Sequence, residues 1–253
     1  MGKNARTCGQ DLMKGENMTA GTSIFDPVLC EIIYKWFCPD NGHILDPFAG
    51  GSVRGIVSNY LGYKYTGVEL SPDQVDANIK QAEDIIPVNK PTWVLGDSVN
   101  IKQLVKGEFD LIFSCPPYFD LEIYSDNKQD LSNYETYEDF IKAYKQIIQD
   151  SVFLLKEDRF ACFVVGDIRD KKGFYRNFVT DTINAFNKSG CLLYNEAILV
   201  TKVGSLPIRA GIYFQSGRKL GKTHQNVLVF YKGNPKNIKE NFSEIEISDK
   251  LLN

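Results

Sequence analysis

The sequence predicts an α/β fold built on a doubly wound, mostly parallel sheet. Short apolar strand patterns alternate along the chain with amphipathic helix patterns, which is the order expected of β-α-β units. Four successive predicted strands end at polar side chains, namely Asp46, Glu69, Asp97 and Cys115. A parallel sheet presents its binding site at that carboxyl edge. With 253 residues, 43% of them hydrophobic, the chain can form one such domain.

In the first half of the chain, two helix patterns have clear starts. Asp26-Pro27 is a helix cap and first turn, followed by an apolar stripe that reaches Trp36, and Ser71-Pro72 repeats this arrangement. The predicted strands are 43–46, 65–70, 92–95 and 109–113, and the helices between them are 53–61 and 72–85. In a sheet ordered 3-2-1-4-5, the loops after strands 1 and 4 line one crevice, where the connections reverse direction.

The second half predicts a helix, a buried strand, another helix and two final strands. Helix 138–155 has an apolar stripe, and strand 160–165 is apolar throughout, as in a strand buried on both faces. Helix 174–186 is followed by strands 192–203 and 226–231. The segment 204–224 between them has glycines at 204, 211, 217 and 221, so we expect an articulated loop, with Ile212-Tyr213-Phe214 as a short strand or an apolar anchor.

The two ends of the chain are polar. We expect residues 1–22 to be a flexible arm and 234–253 a polar tail, flanking a single domain of residues 23–233. No apolar run approaches the roughly 20 residues that cross a bilayer, the first residues do not resemble a signal peptide, and Arg6 argues against myristoylation of Gly2. The acidic stretch 119–136 has no periodicity and is predicted to be a mobile loop over the site.

Cysteine and charge patterns narrow the function classes. Six cysteines and two histidines are scattered without any C-x-x-C, which argues against a zinc site and favours buried thiols in a reducing cytoplasm. The net charge of −3 is unlike that of a nucleic-acid binder, but the charges are unevenly distributed. From Ala197 to Lys239 there are Lys and Arg residues and no acid, whereas 119–139 is acidic. Because the local field decides what a surface attracts, the basic segment 204–224 is a candidate nucleic-acid contact.

The strand 109–113 runs into the sequence Cys115-Pro116-Pro117-Tyr118. The two prolines have a fixed φ and no N–H, so the chain leaves the sheet stiffly and their carbonyl groups remain available to accept hydrogen bonds. Tyr118 adds a flat ring. Such a turn suits a planar heterocycle with an exocyclic amine, while an ordinary exit from a strand is an equally good interpretation of these residues alone.

A second candidate site follows the first predicted strand. Gly50 and Gly51, in the loop Pro47–Ser52, allow the backbone to approach a ligand closely. Neither the dinucleotide fingerprint nor the P-loop signature is present. Glu69 follows at a spacing where a carboxylate accepts hydrogen bonds from ribose hydroxyls, although a single strand-end acid is more often a solvated cap.

Two motifs resemble those of the DNA amino-methyltransferases. They are D-P-F-A-G-G at 46–51, where the family usually reads D-P-F-A-G-S-G, and C-P-P-Y at 115–118, where the family has Asp, Asn or Ser in place of Cys115. The resemblance spans about 23–233 and extends to a phage-like subgroup through the run 217–226. It implies a class I methyltransferase, Rossmann-like sheet with an antiparallel C-terminal strand, in the cytoplasm of a bacterium or a phage-infected cell.

The resemblance also implies an activity: methyl transfer from S-adenosylmethionine to an exocyclic amine of a DNA base, with S-adenosylhomocysteine as product and no metal. Adenine N6 is favoured over cytosine N4. An RNA or protein amine as substrate, and a non-catalytic DNA-binding adaptor, remain alternatives. The oligomeric state, the recognition sequence and any restriction partner stay open.

The implied site residues fall into three groups. The cofactor group is Phe25, Asp26, Asp46, Phe48, Ala49, Gly50, Gly51, Glu69, Leu70, Asp97, Ser98 and Ser114. The catalytic group is Cys115, Pro116, Pro117 and Tyr118, with Tyr118, and Phe119 beside it, as candidates to stack on an extruded base. The DNA-binding group is Arg209, Arg218, Lys219 and Lys222.

Cys115 leaves three roles open. It is a small strand-end residue beside the Pro116 carbonyl as main amine acceptor, with Ser114 as a possible second acceptor, or it is itself the thiol or thiolate acceptor. A third role is that of a covalent nucleophile, as in cytosine-C5 enzymes, but there the cysteine follows a proline, whereas Cys115 precedes Pro116.

Overall fold

A computed structural model of the chain describes residues 24–121, 127, 129–200 and 206–245. One seven-stranded sheet runs through it in the order β3-β2-β1-β4-β5-β7-β6. The strands are β1 His43–Asp46, β2 Lys64–Glu69, β3 Thr92–Leu95, β4 Phe109–Ser114, β5 Leu155–Val165, β6 Leu192–Val200 and β7 His224–Lys232. Strands β1 to β5 pair in parallel, and β7 lies antiparallel between β5 and β6. The predicted doubly wound sheet with an antiparallel C-terminal strand is confirmed.

Helices cover both faces of this sheet. They are α1 Pro27–Phe37, α2 Val53–Tyr60, α3 Pro72–Ile85, α4 Ile101–Leu104, α5 Tyr137–Leu154, α6 Phe178–Lys188, α7 Leu206–Gly217 and α8 Ile238–Asn241. Two predicted caps are present: the Asp26 carboxylate accepts from Val28 N at 2.9 Å, and Ser71 Oγ accepts from Gln74 N at 3.3 Å. No helix within the described ranges is long and apolar enough to cross a membrane.

The alternation of side chains along β1 and β4 divides the core into two layers. Ile44 and Leu111 face a cluster with α1 and α3, whereas Leu45 and Ile112 face a cluster with α5 and α6. Each residue on β4 is buried, as expected for a central strand covered on both faces. Both carboxyl ends that flank the predicted crevice are therefore held by a two-sided core.

Two predicted boundaries are wrong for local reasons. Helix α6 starts at Phe178 and not at 174, because the preceding chain forms a short hairpin in which Arg169 bridges Tyr175 and Gly173 has φ +96°. Strand β5 starts at Leu155, five positions earlier than expected, because Leu155 pairs with Phe109 ahead of an irregularity in the ladder.

The prediction of an articulated loop over 204–224 is also wrong where α7 forms. Of the glycines that suggested a loop, Gly211 alone lies inside this helix, which ends at Gly217. A single internal glycine costs about 1 kcal/mol relative to alanine, which leucine, arginine and alanine in the same turns can offset. Arg218 leaves the helix with φ +49°. Residues 201–205, which include Gly204, lie outside the described part.

The flanking segments are described only in part. Residues 1–23, which include the whole predicted arm, and residues 246–253, at the end of the predicted tail, lie outside the described ranges. The nearer part of the predicted tail packs on the sheet: the Phe242 ring lies 5.1 Å from Phe160, and Asn237 Nδ2 donates to Asp158 at 2.8 Å. Of the acidic stretch 119–136, residues 122–126 and 128 are outside the described part, and Leu131 is buried.

Candidate active site

The carboxyl ends of the strands bring the two predicted motifs together. Asp46, at the end of β1, accepts from Ser114 Oγ, at the end of β4, over 2.5 Å. These residues are 68 positions apart in sequence. The loop 47–52 and the turn 115–118 therefore start from neighbouring points on one edge of the sheet, as the strand order predicts.

Asp46 has no exposed surface and is saturated with hydrogen bonds. Its Oδ1 accepts from Ser114 Oγ and from Phe48 N, and its Oδ2 accepts from Arg54 Nε at 2.5 Å and Tyr65 OH at 2.7 Å. A carboxylate oxygen accepts about two hydrogen bonds, so no capacity remains for a ligand. The sequence-based assignment of Asp46 to the cofactor group holds in this geometry only through the loop that Asp46 shapes.

Arg54 is the site residue that the sequence analysis missed. It is buried on α2, where it pairs with Asp46 and donates to the carbonyls of Phe48 and Ala49 at 2.6 and 2.8 Å. Burial alone would lower the pKa of Arg54, but the charge of Asp46 raises it above the ordinary value. A charged residue on the buried face of an otherwise ordinary helix was the available signal.

Glu69 ties the glycine loop to the end of β2. Its carboxylate accepts from Gly50 N and from Ser71 N, both at 2.8 Å, and Asn78 Nδ2 donates to Gly50 O at 2.7 Å. Burial raises the pKa of Glu69, against the lowering effect of these backbone hydrogen bonds. Leu70 N adds a third backbone hydrogen bond to this carboxylate. A carboxylate accepts about four hydrogen bonds, so capacity for one from a ligand hydroxyl remains.

The backbone in front of the glycine loop is open. Gly50 has φ +52°, and a Cβ placed on Gly50 or Gly51 would meet no atom within 4 Å. Positive φ explains glycine at position 50, and the open space at both positions is where a ligand could approach the backbone.

The remaining cofactor candidates divide into surface and structural groups. Asp97 is half-buried and accepts from Val99 N at 3.0 Å as a helix cap, and Leu70 is half-buried beside β2. Ser98 Oγ is buried and donates to Pro47 O at 2.6 Å. Ser98, like Ser114, therefore uses its hydroxyl to tie loops together.

Aromatic contacts fix two more of the predicted residues, Phe25 and Phe48. The Phe25 ring lies edge-on to Phe113 at 5.7 Å and beneath the Arg54 guanidinium at 4.7 Å. Phe48 packs 6.0 Å from Tyr144, and Ala49 is fully buried. Asp26 is exposed and caps α1. The start of α1 is thus held against α2 and β4, next to the cofactor candidates.

The C-P-P-Y turn is half-buried around its reactive groups. Pro116 is buried, whereas Cys115, Pro117 and Tyr118 are each partly accessible. The Tyr118 ring lies edge-on to Phe178 at 5.8 Å, and its hydroxyl accepts from Gln225 Nε2 at 2.6 Å and hydrogen-bonds the Cys115 sulfur. Burial, and then the charge of a Cys115 thiolate, raise the pKa of Tyr118 well above its ordinary value.

Phe119 is not available to stack on a base, so that interpretation of the sequence is wrong. Its side chain is 4% exposed and packs 5.3 Å from Phe140, and its backbone has φ +47°. The Arg176 guanidinium lies 4.9 Å over the same ring and 3.4 Å from Asp120. The turn after Tyr118 is therefore directed into the core, whereas Tyr118 is partly accessible.

The four predicted DNA contacts lie on or after α7. Arg209, Arg218 and Lys219 are exposed and Lys222 is half-buried. Arg218 lies 5.0 Å over the Phe214 ring. A Cβ on Gly166, just beyond β5, would lie 3.9 Å from both Lys222 Nζ and Gln225 Cγ. The basic segment therefore approaches the carboxyl edge that also carries Cys115.

Four of the five cysteines in the described part fit the expected buried thiols. Cys30, Cys38, Cys162 and Cys191 are buried and form no disulfide. Burial raises the pKa of the Cys30 thiol to about 12. Within the described ranges, no three His, Cys, Asp or Glu side chains cluster as metal ligands.

Comparison with known families identifies the second motif. A family model described as DNA methylase matches residues 109–251, which is more than half of the chain. The match begins at β4 and includes the C-P-P-Y turn and the basic segment. No curated protein sequence matched the chain.

Solved methyltransferase structures share the fold at low sequence identity. TrmN from Thermus thermophilus has a TM-score of 0.54 at 12% identity, and the match covers 82% of this chain and 49% of TrmN, so this chain spans about half its length. A Pyrococcus furiosus methyltransferase has a TM-score of 0.53 at 18% identity, covering 83% of this chain and 84% of that one. Magnesium protoporphyrin IX methyltransferase from Synechocystis PCC 6803, solved with SAM bound, has a TM-score of 0.52 at 13% identity and coverages of 82% and 79%.

Proposed function

Because the chain belongs to the DNA methylase family, we propose that it transfers a methyl group from S-adenosylmethionine to an exocyclic amine of a DNA base, with adenine N6 favoured. The observation that carries this proposal is the meeting of the two motifs across the β1–β4 edge, where Asp46 and Ser114 are hydrogen-bonded. Methyl transfer needs donor and acceptor in one crevice, and this edge is where a doubly wound sheet binds ligands.

The residues around the glycine loop fit the methyl donor. Open backbone at Gly50 and Gly51 accommodates a close ligand, Glu69 retains acceptor capacity for ribose hydroxyls, and the partly accessible Asp97 suits an adenine amine. Phe25 and Asp26 border the same loop through Arg54 and α1. S-adenosylmethionine supplies an electrophilic methyl group when bound.

The C-P-P-Y turn acts on the acceptor amine. An aromatic amine is a poor nucleophile because its lone pair is delocalised into the ring. The Pro116 carbonyl and the Cys115 sulfur accept the two amine hydrogens, which favours a pyramidal nitrogen with its lone pair directed at the methyl group. The donor leaves as S-adenosylhomocysteine, and the methylated nitrogen releases one of its hydrogens to solvent as a proton. Tyr118 stacks on the extruded base. The chain contributes positioning and electrostatics, with no covalent step at Cys115.

Nucleoside analysis of DNA tests this function. We expect N6-methyldeoxyadenosine in DNA from cells that lack their own DNA methyltransferases and express the wild-type chain. Cys115→Ser should retain activity and Cys115→Val should lose it, because serine keeps an acceptor and valine does not. If N4-methyldeoxycytidine is the only modified nucleoside, the substrate base is cytosine and not adenine. If RNA is modified and DNA is not, the assignment of DNA as substrate is rejected. A covalent adduct with a fluorinated cytosine substrate would overturn the amine mechanism.

The basic segment is proposed to hold the duplex through its phosphates. Replacement of Arg218, Lys219 and Lys222 by Ala should weaken DNA binding and flatten the dependence of log affinity on log salt by up to about 2.7, at roughly 0.9 per lost phosphate contact. Cofactor affinity should not change. The matched control replaces Lys64, Lys80 and Lys106, which are exposed elsewhere. Equal salt slopes in both triple variants would reject the segment as the DNA contact.

A further inference from the structure

We propose that Gln225 is a positioning residue that fixes Tyr118 and Cys115 for methyl transfer, an inference that rests on the function proposed above. Gln225 Nε2 lies 2.6 Å from the Tyr118 hydroxyl, and the two residues are 107 positions apart in sequence. Gln225 itself lies in β7, directly after the basic segment. The contact therefore joins the proposed DNA-binding element to the catalytic turn.

The sheet explains why Gln225 reaches this turn. Strand β7 is antiparallel to β5, and Asn226 pairs with Val165, the last residue of β5. The start of β7 therefore lies at the carboxyl edge, where β4 also ends. Gly166, just beyond β5, is its neighbour there: a Cβ on Gly166 would lie 3.9 Å from Gln225 Cγ, an ordinary van der Waals contact.

The direction of the hydrogen bonds gives Gln225 its effect. A phenol oxygen that accepts from an amide N–H keeps its single proton for another acceptor. The Tyr118 hydroxyl also hydrogen-bonds the Cys115 sulfur, so the order is Gln225 to Tyr118 to Cys115. In this arrangement the Tyr118 proton is directed at the Cys115 sulfur, so the hydrogen bond from Gln225 sets the orientation of both groups.

The same contact restrains the Tyr118 ring. Phe178 supports the ring from one side at 5.8 Å, and the hydroxyl is held at the far end by Gln225. Without the amide, the ring keeps its hydrophobic support but loses the group that sets its tilt and the direction of its proton. Because methyl transfer depends on alignment of the base amine, the loss should affect the rate of transfer more than binding.

Kinetics of four variants test this role. Gln225→Met should slow methyl transfer at saturating DNA and S-adenosylmethionine by about 5- to 10-fold, as expected for one lost hydrogen bond, and change both affinities by less than about twofold. In a Tyr118→Phe background the same substitution should cause no further slowing. Asn226→Leu is the matched control: its amide donates to Glu196 at 2.6 Å, on the side away from Tyr118. Additive losses in the double variant, or equal slowing by Asn226→Leu, would overturn the proposal.

A spectroscopic measurement separates this proposal from the proposed function. The chain has 13 tyrosines, and in protein labelled with 3-fluorotyrosine the Tyr118→Phe variant identifies the fluorine resonance of Tyr118. Gln225→Met should shift that resonance, and Asn226→Leu should leave it in place. An unmoved Tyr118 resonance in Gln225→Met rejects the positioning role whether or not DNA is methylated. A shifted resonance in a protein that methylates no DNA supports the contact and rejects only the methyltransferase assignment.

Discussion

Two buried aspartates on adjacent strands of the sheet make nearly the same kind of contact at opposite ends. Asp46 ends β1 and is 0% exposed, and Asp110 lies near the start of β4 and is 7% exposed. Each pairs with an arginine, Arg54 in one case and Arg159 in the other. Burial and ionic pairing alone would rank them as equal candidates for function.

Their other partners differ. Those of Asp46 include Phe48 N, in the loop after β1, and Ser114 Oγ, in the last residue of β4 before the C-P-P-Y turn. Those of Asp110 are His43 N at 3.0 Å and Lys156 Nζ at 2.8 Å, near the starts of β1 and β5. In this sheet, a buried ion pair therefore indicates a candidate site only at the strand ends that lead into the loops around the crevice.

The largest expected effect is at the Asp46 end. Arg54→Met leaves a buried carboxylate without its cation, and we expect a loss of about 3–5 kcal/mol in the free energy of unfolding, measured by urea denaturation. Arg159→Met is the matched control, because Asp110 keeps Lys156 and should lose much less. Equal losses in the two variants would contradict the difference between the two ends.

A smaller effect is expected at Glu69, which holds the glycine loop of the same end. Glu69→Ala should weaken S-adenosylmethionine binding by about 1.5–3 kcal/mol, measured by calorimetry, because a charged acceptor of ligand hydrogen bonds is removed. Burial raises the pKa of Glu69 above 4.5. Wild-type affinity should therefore fall as pH drops toward that raised pKa, whereas Glu69→Gln should show a flatter profile. Unchanged binding in Glu69→Ala would reject this residue as a ligand.

The smallest effect is expected at the other end. Burial opposes ionisation of Asp110, but hydrogen bonds from Lys156, His43 N and Arg159 lower its pKa below 3.8. A lowered folded-state pKa stabilises the protein above pH 3.8, and this contribution disappears as pH falls through the folded pKa. Because Lys156 is partly solvated, Asp110→Asn should lower the free energy of unfolding by only about 1 kcal/mol near neutral pH. The difference from wild type should shrink as the pH falls. Cofactor affinity should not change. Loss of cofactor binding would show that both ends serve the site.

The sequence predicted the features that local patterns encode. Apolar runs that stop at polar residues located strands β1 to β4, and cap residues such as Asp26 and Ser71 located helix starts. The order of the strands then implied that the loops after Asp46 and Ser114 meet. These inferences needed only periodicity, turn chemistry and the handedness of β-α-β units.

The remaining features depend on contacts between distant residues. The Arg54–Asp46 pair forms across the loop after β1, and no periodic pattern encodes it. The Gln225–Tyr118 contact joins residues 107 positions apart, and β5 lies between the strands β4 and β7 that carry them to the same edge. Ser98, one of the predicted cofactor residues, donates its hydroxyl to Pro47 O, 51 positions away, a contact that no local pattern encodes. Phe119 follows Tyr118 as an apparent second ring, yet its positive φ turns it into the core. Tertiary packing determines the partner or the orientation of each of these side chains.

The seam between β1 and β4 also bears on how the chain folds. Only two residue pairs, Ile44 with Leu111 and Leu45 with Ile112, register these strands, whereas seven pairs register β5 with β7. Strands β1 to β3 are consecutive in sequence, and so are β4 to β7, so each block can pair internally before the two blocks meet. Pairing β1 with β4 closes the chain segment that contains β2 and β3 into a loop. This closure costs chain entropy, and the short β1–β4 ladder offsets little of the cost, so we expect the pairing late in folding. An intermediate that has not closed this seam lacks the Asp46–Ser114 contact, and ligand binding would then report the last step of folding.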